Sequence, residues 1–327
     1  MTAKAQDLSL DSPFPRRLWA YLQERFPLVG HGVLIFSYYS SNQFLARALV
    51  SPGEPMHYDT SSLLGGLTLL LFFFHLRVFD EHKDYAEDRV HYPQRVLSRG
   101  LVRLVHLRWL AAAAILGQMV LAGLAGVGAL AAWAVAFAFS LLMLKEFFVG
   151  EWLRRRFLLY ALTHMMVMPL LALMVFSFAV GRWPWQAPPW FWVYAFVGFF
   201  VTSNWEVSRK IRAPEEEIEG VDSYTRIFGT FGAAWVVLGI RVVDTLMVAA
   251  VGWHLQLPLW FYLALIGLYG VCLVGFVQYR LAPAPKTARR METFAGMYII
   301  AFDLILAVAI AQSFGLELHG WSLGGSG

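Results

Sequence analysis

The feature of this sequence that most constrains its fold is a series of apolar runs, each about 20 residues long, separated by short polar segments. In lipid, backbone hydrogen bonds have to be satisfied within the protein, so such runs form helices. Hydrophobic residues make up 58% of the 327-residue chain, compared with about 45–50% in soluble domains. The single cysteine excludes a disulfide-stabilised fold. The sequence therefore predicts an all-α integral membrane protein without a soluble domain.

Nine apolar runs are long enough to cross a membrane. They cover residues 29–50, 61–79, 107–126, 127–148, 157–180, 189–207, 229–253, 257–278 and 293–314. The third and fourth runs adjoin, and only the glycines Gly123, Gly126 and Gly128 divide them. We therefore expect an arm over residues 1–28, a nine-helix transmembrane domain over 29–314 and a tail over 315–327.

Every second segment between these runs is rich in lysine and arginine, and the segments between them are nearly free of both. These basic residues are dense before the first run and after the second, fourth, sixth and eighth, and on the other side only Arg182 occurs. Basic residues concentrate in cytoplasmic loops, so the N-terminus is predicted in the cytoplasm and the C-terminus outside the inner membrane. Segments 77–108 and 204–228 are then cytoplasmic. The net charge of +4 reflects this topology and indicates no nucleic-acid partner.

The pattern of apolar and basic side chains in residues 13–27 predicts an amphipathic helix in the N-terminal arm. Aromatic and leucine side chains are interspersed there with Arg16, Arg17 and Arg25, a pattern typical of helices that lie in the membrane interface. We expect this helix on the cytoplasmic face, directly before the first span.

The second apolar run ends in a cluster of carboxylates. Asp80, Asp84 and Asp88 recur every fourth residue and share one face of a helix, with Glu81 on the same side. Like charges at this spacing destabilise a helix by about 0.2–0.5 kcal/mol per pair, whereas Mg²⁺ or Ca²⁺ binds clustered carboxylate oxygens. The cluster is therefore either a metal site or a solvated helix end with partners such as Lys83.

A second charged segment follows the sixth run. Its charged and amide side chains are Asn204, Glu206, Arg209, Lys210, Arg212, Glu215, Glu216, Glu217, Glu219 and Asp222. Both charged segments follow even-numbered runs, so the predicted topology brings them to the same side of the membrane. The alternative interpretation is an ordinary charged loop in which Pro214 ends a helix.

Several polar side chains lie inside the apolar runs, where such groups are functional candidates by default. Arg241 and Asp244 are three residues apart and predict an ion pair on one helix. Asn42 is a candidate cavity residue. The His164 ring either faces a cavity or satisfies a backbone carbonyl.

The order of spans and acidic motifs resembles the UbiA-type intramembrane prenyltransferase superfamily. The first motif of that family is Asn-Asp-x-x-Asp-x-x-x-Asp. Here Asp80 stands in place of the Asn, Glu81 in place of the first Asp, and Asp84 and Asp88 match. The resemblance covers nearly the whole chain.

Three basic residues also resemble family positions. Arg95 matches a later Arg-Pro-Leu-x-x-Gly segment, although Val96 replaces its proline. Lys145, at the end of the fourth run, resembles a lysine that meets phosphate. Arg25, directly before the first run, resembles the opening Arg-Pro of the family.

The second motif departs from the family, which usually places two aspartates four residues apart there. Glu206 keeps its family place, whereas Lys210 stands where an aspartate is expected. The second metal is therefore absent or held differently. Arg209, Lys210 and Arg212 are expected to grip phosphate oxygens directly.

The resemblance implies nine transmembrane helices around a central cavity that opens to the cytoplasm. It implies Mg²⁺-dependent transfer of a prenyl group from a polyprenyl diphosphate to a lipophilic or aromatic acceptor. The expected metal ligands are Asp80, Glu81, Asp84 and Asp88, and the expected catalytic residues are Asp80, Asp84, Asp88 and Lys145. The expected substrate-binding residues are Asn42, Arg95, Asn204, Glu206, Arg209, Lys210, Arg212 and Asp222. Apart from these substrates and membrane lipid, no obligate protein partner is expected.

Three alternatives remain open at this point. A terpene cyclase of the same fold would ionise the same diphosphate and let the chain attack itself. A transferase of phosphorylated sugars onto a lipid phosphate would explain the extra basic residues. A transporter without chemistry would use charges deep in the membrane, such as Arg241, Asp244 and Asp303.

Overall fold

The computed structural model describes residues 8–217 and 223–317, and these are almost entirely helical. The α-helices of these ranges are α1 (Phe14–Arg25), α2 (Leu28–Val50), α3 (Thr60–His91), α4 (Leu104–Ala125), α5 (Val127–Leu144), α6 (Gly150–Arg154), α7 (Phe157–Met165), α8 (Val167–Val180), α9 (Pro189–Ser208), α10 (Tyr224–His254), α11 (Leu259–Leu281) and α12 (Pro285–Phe314). Two short strands, β1 (Met56–His57) and β2 (Leu316–Glu317), pair in parallel. Short 3₁₀ turns cover Glu146–Phe148, Pro184–Gln186 and Pro214–Glu216. The prediction of an all-α protein is confirmed.

Seven helical segments within residues 8–217 and 223–317 are long and apolar enough to cross a membrane. They are α3, α4, α5, the consecutive pair α7 and α8, α10, α11 and α12. Helices α2 and α9 coincide with two further predicted spans, but side chains such as Gln43 and Asn204 make them more polar. The seven segments support an integral membrane protein, whereas the predicted count of nine spans is not confirmed.

Glycine and proline residues set the breaks between and within these helices. Gly126 separates α4 from α5 with a φ of 122°, a conformation that glycine adopts without steric cost. This break divides the adjoining third and fourth runs. Pro169 has no N–H to bond the carbonyl four residues earlier, and α7 ends at that residue, Met165. Gly229, with a φ of 70°, kinks α10.

One end of the bundle, which we call the charged end, combines the two charged segments. It comprises α1, the C-terminal turns of α3, the N-terminal turns of α7 and the C-terminus of α9. Arg25 of α1 contacts Glu81 of α3, and Lys83 of α3 contacts Tyr160 of α7. Residues from four separate elements therefore meet there.

The opposite end is closed by a second set of contacts. Arg47, near the end of α2, forms a 2.6 Å ion pair with Asp59 and donates a hydrogen bond to the Ala179 carbonyl near the end of α8. Asp59 also caps the first turn of α3, which stabilises the helix start. The β1–β2 pair joins this end to the residues after α12. Helix α1 and the last described residues thus lie at opposite ends of the bundle.

Two buried polar networks tie the helices together between these ends. In the first, the His75 ring lies 3.1 Å from Ser140 and 3.1 Å from Gln118. In the second, Arg241 pairs with Asp244 at 3.0 Å, so the predicted ion pair is confirmed. An unsatisfied buried polar group costs about 1–3 kcal/mol, and these contacts therefore favour one register between the helices.

Candidate active site

The acidic motif lies on the last three turns of α3. This helix continues beyond the predicted end of the span at Phe79 and reaches His91. At 1.5 Å per residue its 32 residues extend about 48 Å, which exceeds the roughly 30 Å hydrocarbon core. The carboxylates therefore project past the apolar part of the helix at the charged end.

Glu81 is the most deeply buried acid of the motif, and two arginines neutralise it. Its side chain is 2% exposed and accepts hydrogen bonds from Arg25 at 2.6 Å and from Arg77 at 3.0 Å. Tyr21 of α1 is buried beside this group, and burial, followed by the Glu81 carboxylate, raises the pKa of the Tyr21 phenol. Removing one partner from a buried ion pair is far costlier than removing a surface charge, so these contacts dock α1 onto α3.

Asp88 belongs to a second arginine cluster. It accepts a hydrogen bond from Arg95 and lies 3.6 Å from Arg25. The Arg95 guanidinium also stacks on the Tyr92 ring, 3.8 Å from its centroid. Arg25 thus bridges Glu81 and Asp88 from outside the helix that carries them.

Asp80 and Asp84 are the more open acids of the motif. Asp80 pairs with Lys83 at 3.2 Å, and its side chain is 45% exposed. Asp84 is exposed, and no cation of the described residues pairs with its carboxylate within 4 Å. Two carboxylates one turn apart are therefore left with a single lysine partner.

The second charged segment centres on Glu206, which is buried at the end of α9. Its two oxygens are held by Arg209 at 2.6 Å and by Lys210 at 2.7 Å. Arg212 follows on the same segment. Two cations therefore hold the single carboxylate of Glu206, where the family resemblance predicted a second acidic metal-binding motif.

Helix α7 lies between the two charged segments. The Lys210 ammonium sits 4.5 Å from the Phe157 ring centroid, and the Lys83 ammonium lies 3.5 Å from the Tyr160 hydroxyl. Phe157 and Tyr160 are three residues apart, so they share one face of α7. Lysines from both charged segments therefore converge on one aromatic helix face, which we call the α7 face and define as Phe157, Tyr160 and His164.

Lys145, a predicted catalytic residue, is exposed at the C-terminus of α5. The three residues after it have positive φ angles, an uncommon conformation for residues other than glycine. A cleft of about 760 Å³ opens beyond this turn, lined by residues that include Trp152, Arg155 and Arg156.

The two predicted asparagines are directed into the bundle. Asn204 accepts a 2.6 Å hydrogen bond from Arg241 and donates to the Val237 carbonyl. Asn42 donates to the Tyr38 carbonyl, and its own carbonyl oxygen is buried without a partner among the described residues. Their roles as substrate-binding residues stay predictions.

Two further predicted residues have less defined surroundings. The Arg212 backbone bonds to Thr225 and Tyr279, and its side chain is half-buried. Asp222 lies outside the described residues. Both stay predictions.

Sequence reasoning missed three residues that the structure brings to this end. Arg77 lies one turn before Glu81, and that spacing is a recognisable ion-pair signal. Phe157 and Tyr160 have helical spacing, but aromatic residues make up 16% of the chain, so nothing distinguished these two.

The donor set limits how magnesium could bind. Within residues 8–217 and 223–317, no three His, Cys, Asp or Glu side chains are grouped to hold a metal ion. Glu81, Asp88 and Glu206 are bound by arginine or lysine instead. One Mg²⁺ in proteins needs only one or two carboxylates beside water and phosphate ligands. Asp80 and Asp84 fit that demand, whereas the described residues do not fit a site for two metals.

Three solved structures share this fold. A UbiA homolog from Aeropyrum pernix K1 superposes with a TM-score of 0.63 at 15% identity, over 86% of this chain and 97% of that one. A structure of digeranylgeranylglyceryl phosphate synthase gives 0.60 at 16% identity, over 90% and 99%. The chain has the UbiA-type fold. A UbiA homolog from Archaeoglobus fulgidus gives 0.54 at 12% identity, over 88% and 99%.

The UbiA-type fold predicted from the acidic motifs is thus confirmed by similarity of structure, at low sequence identity. No protein-family model matches the chain, and no curated protein matches it. Identities of 12% to 16% establish the fold alone, and fold alone does not establish a reaction.

We predict that Arg25→Gln loosens α1 from the bundle. The substitution removes the guanidinium between Glu81 and Asp88, and a hydrogen bond to a charged group contributes about 1.5–3 kcal/mol. Amide hydrogen exchange in residues 14–25 should therefore accelerate about tenfold or more. Hydrogen-exchange mass spectrometry measures this directly, with the exposed Arg16→Gln as a matched control. Equal exchange in both variants would show that Arg25 does not anchor the arm.

Proposed function

We propose that this chain is an intramembrane prenyltransferase that moves a prenyl group from a polyprenyl diphosphate to a lipophilic or aromatic acceptor. The observation that carries the proposal is the convergence of Lys83 and Lys210 on the α7 face. Two cations from distant segments, with Asp80 and Asp84 on the same helix as Lys83, suit a diphosphate with one bound divalent cation. The shared fold of a prenyltransferase structure supports the same reaction class.

Asp80 and Asp84 are the proposed magnesium ligands. They are the motif acids with the fewest ionic partners, so they are the ones free to bind another cation. When bound with the substrate, Mg²⁺ supplies Lewis-acid stabilisation to the departing pyrophosphate. Glu81 and Asp88 have a different proposed task, because their arginine pairs hold Arg25 and Arg95 in place at the same end.

The cations around Glu206 are proposed to bind phosphate oxygens directly. Glu206 orients Arg209 and Lys210, and Arg212 follows them two residues later in the sequence. Fixed positive charges stabilise a leaving pyrophosphate without reorganising during the reaction. Lys145, and Asp222 outside the described residues, remain proposed contributors.

The α7 face and the apolar bundle suit the other half of the reaction. An allylic cation is short-lived in water, so it needs an apolar pocket, and aromatic faces stabilise positive charge. We propose that the acceptor approaches from the bundle interior, with Asn42 and Asn204 on its path. By the positive-inside pattern, the diphosphate enters from the cytoplasm.

We predict that Asp84→Asn abolishes most turnover and leaves the protein folded. The exchange removes a proposed magnesium ligand while preserving side-chain size, and the loss of such an interaction costs roughly 100-fold or more in kcat. Prenylated product from farnesyl diphosphate should be measured by mass spectrometry. Glu87→Gln, an exposed position on the same helix, makes the same chemical change and should keep its activity. Unchanged product formation in Asp84→Asn would refute the metal role.

We predict that inorganic pyrophosphate binds weakly even in EDTA, because the Glu206 cluster grips it without metal. Lys210→Gln should weaken this binding about tenfold, which is the expected loss for one charge-assisted hydrogen bond. Isothermal titration calorimetry measures both, and the exposed Lys286→Gln serves as the control. If pyrophosphate binding disappears in EDTA and is unchanged by Lys210→Gln, the metal alone would hold the headgroup.

A further inference from the structure

The third member of the α7 face, His164, has no place in the function proposed so far. It lies one turn beyond Tyr160, and the two rings stack with centroids 4.1 Å apart. On another side the Phe147 ring meets it edge-on at 5.7 Å. The side chain is only 6% exposed. The imidazole is therefore fixed between two aromatic rings, one helical turn deeper than the Lys83 contact.

One hydrogen bond defines which ring nitrogen of His164 carries the proton. Nδ1 lies 2.7 Å from the Tyr160 carbonyl oxygen. A carbonyl oxygen can only accept, so Nδ1 is the donor and bears the hydrogen. In the neutral ring, Nε2 is then a bare acceptor with a free lone pair.

That acceptor is buried without a partner. Nε2 of His164 makes no hydrogen bond within residues 8–217 and 223–317. His164 Nε2 is one of several buried side-chain atoms of the described residues that have no partner. Leaving such a group unsatisfied in an apolar interior costs about 1–3 kcal/mol, so each one asks for an explanation. A ligand that brings an O–H group to this nitrogen would remove the cost.

We infer that His164 Nε2 accepts the hydrogen bond of a hydroxyl group on the prenyl acceptor and takes its proton as the new bond forms. This inference rests on the proposed prenyl transfer. It assigns the acceptor class as a molecule with an alcohol or phenol group. The position of His164 suits this role. Lys83 and Lys210, which are proposed to bind the diphosphate, contact the first turns of α7, and His164 lies one turn deeper on the same face.

The proton and electron pairs balance in this step. The bond between C1 of the prenyl chain and the diphosphate oxygen breaks, and pyrophosphate leaves with the electron pair. The acceptor oxygen gives a pair to C1, and its O–H bond breaks as the proton moves to Nε2. The imidazolium formed is then offset by the negative pyrophosphate nearby, and the proton leaves with that product.

Three charged side chains act on the His164 ring. Lys83 and Asp80 of α3 and Glu146 of the 3₁₀ turn after α5 are close enough to act on it electrostatically. Lys83 opposes a second positive charge on the ring, while Asp80 and Glu146 favour one. In the proposed step, the negative charge of the departing pyrophosphate adds to the acids that favour proton uptake by His164.

Two substitutions at His164 separate binding from proton transfer. In His164→Gln the side-chain amide can present its oxygen near the position of Nε2, so it can accept the hydroxyl but not remove its proton. In His164→Asn the amide reaches only the position of Nδ1. With farnesyl diphosphate and 4-octylphenol as probes, both variants should lose about 100-fold in kcat. Only His164→Asn should also raise the KM for the phenol, by about tenfold, and the KM for farnesyl diphosphate should stay unchanged in both.

A measurement on the unchanged protein keeps the inference independent of turnover and of variant folding. In the ¹⁵N-histidine spectrum, the His164 signal is assigned by its absence in His164→Asn or His164→Gln. We expect an unprotonated Nε2 whose resonance shifts when 4-octylphenol is added but not when its methyl ether, 4-octylanisole, is added. A protonated Nε2, or equal responses to both compounds, would overturn the inference.

The outcomes also distinguish this inference from the proposed function. If no acceptor yields product but the phenol-specific shift appears, the hydroxyl site stands and prenyl transfer fails. If product forms and both variants keep wild-type kcat and KM, prenyl transfer stands and the role of His164 fails.

Discussion

Neutralisation of carboxylates by cations from other elements is the interaction on which the charged end of this protein depends. Glu81 is almost fully buried, and such a charge is tolerated only with matched partners. Arg25 reaches it from α1, and Arg77 from one turn earlier on α3. Glu206 repeats the arrangement at the end of α9 with Arg209 and Lys210. These pairs fix the arm and two helix ends relative to one another.

The same pairing decides which groups remain for chemistry. Acids bound by arginine cannot also serve as metal ligands without exchanging partners, which leaves Asp80 and Asp84 as the motif acids that no arginine binds. Lys83 and Lys210 contact the same face of α7, so the candidate site presents lysine side chains beside its acids. The UbiA-type fold thus carries a site whose charge balance differs from the two acidic motifs expected of it.

The sequence predicted the features that depend on local periodicity. Helix content and the break at Gly126 follow from apolar runs and glycine, and the Asp80–Asp84 face follows from four-residue spacing. Contacts between distant segments could not be read in this way: Arg25 and Glu81 are 56 residues apart, and no pattern links Lys210 to Phe157. The nine-span count is not confirmed, because helices α2 and α9 are more polar than a simple membrane span.

The most direct test of this account is a cryo-electron microscopy structure with farnesyl thiodiphosphate, a slowly ionising analogue, and Mg²⁺. We expect headgroup density at the charged end, between Lys83 and Lys210 and against α7, with the prenyl chain entering the bundle. Headgroup density elsewhere, for example in the cleft beside Arg155 and Arg156 or near Arg47 at the opposite end, would contradict it.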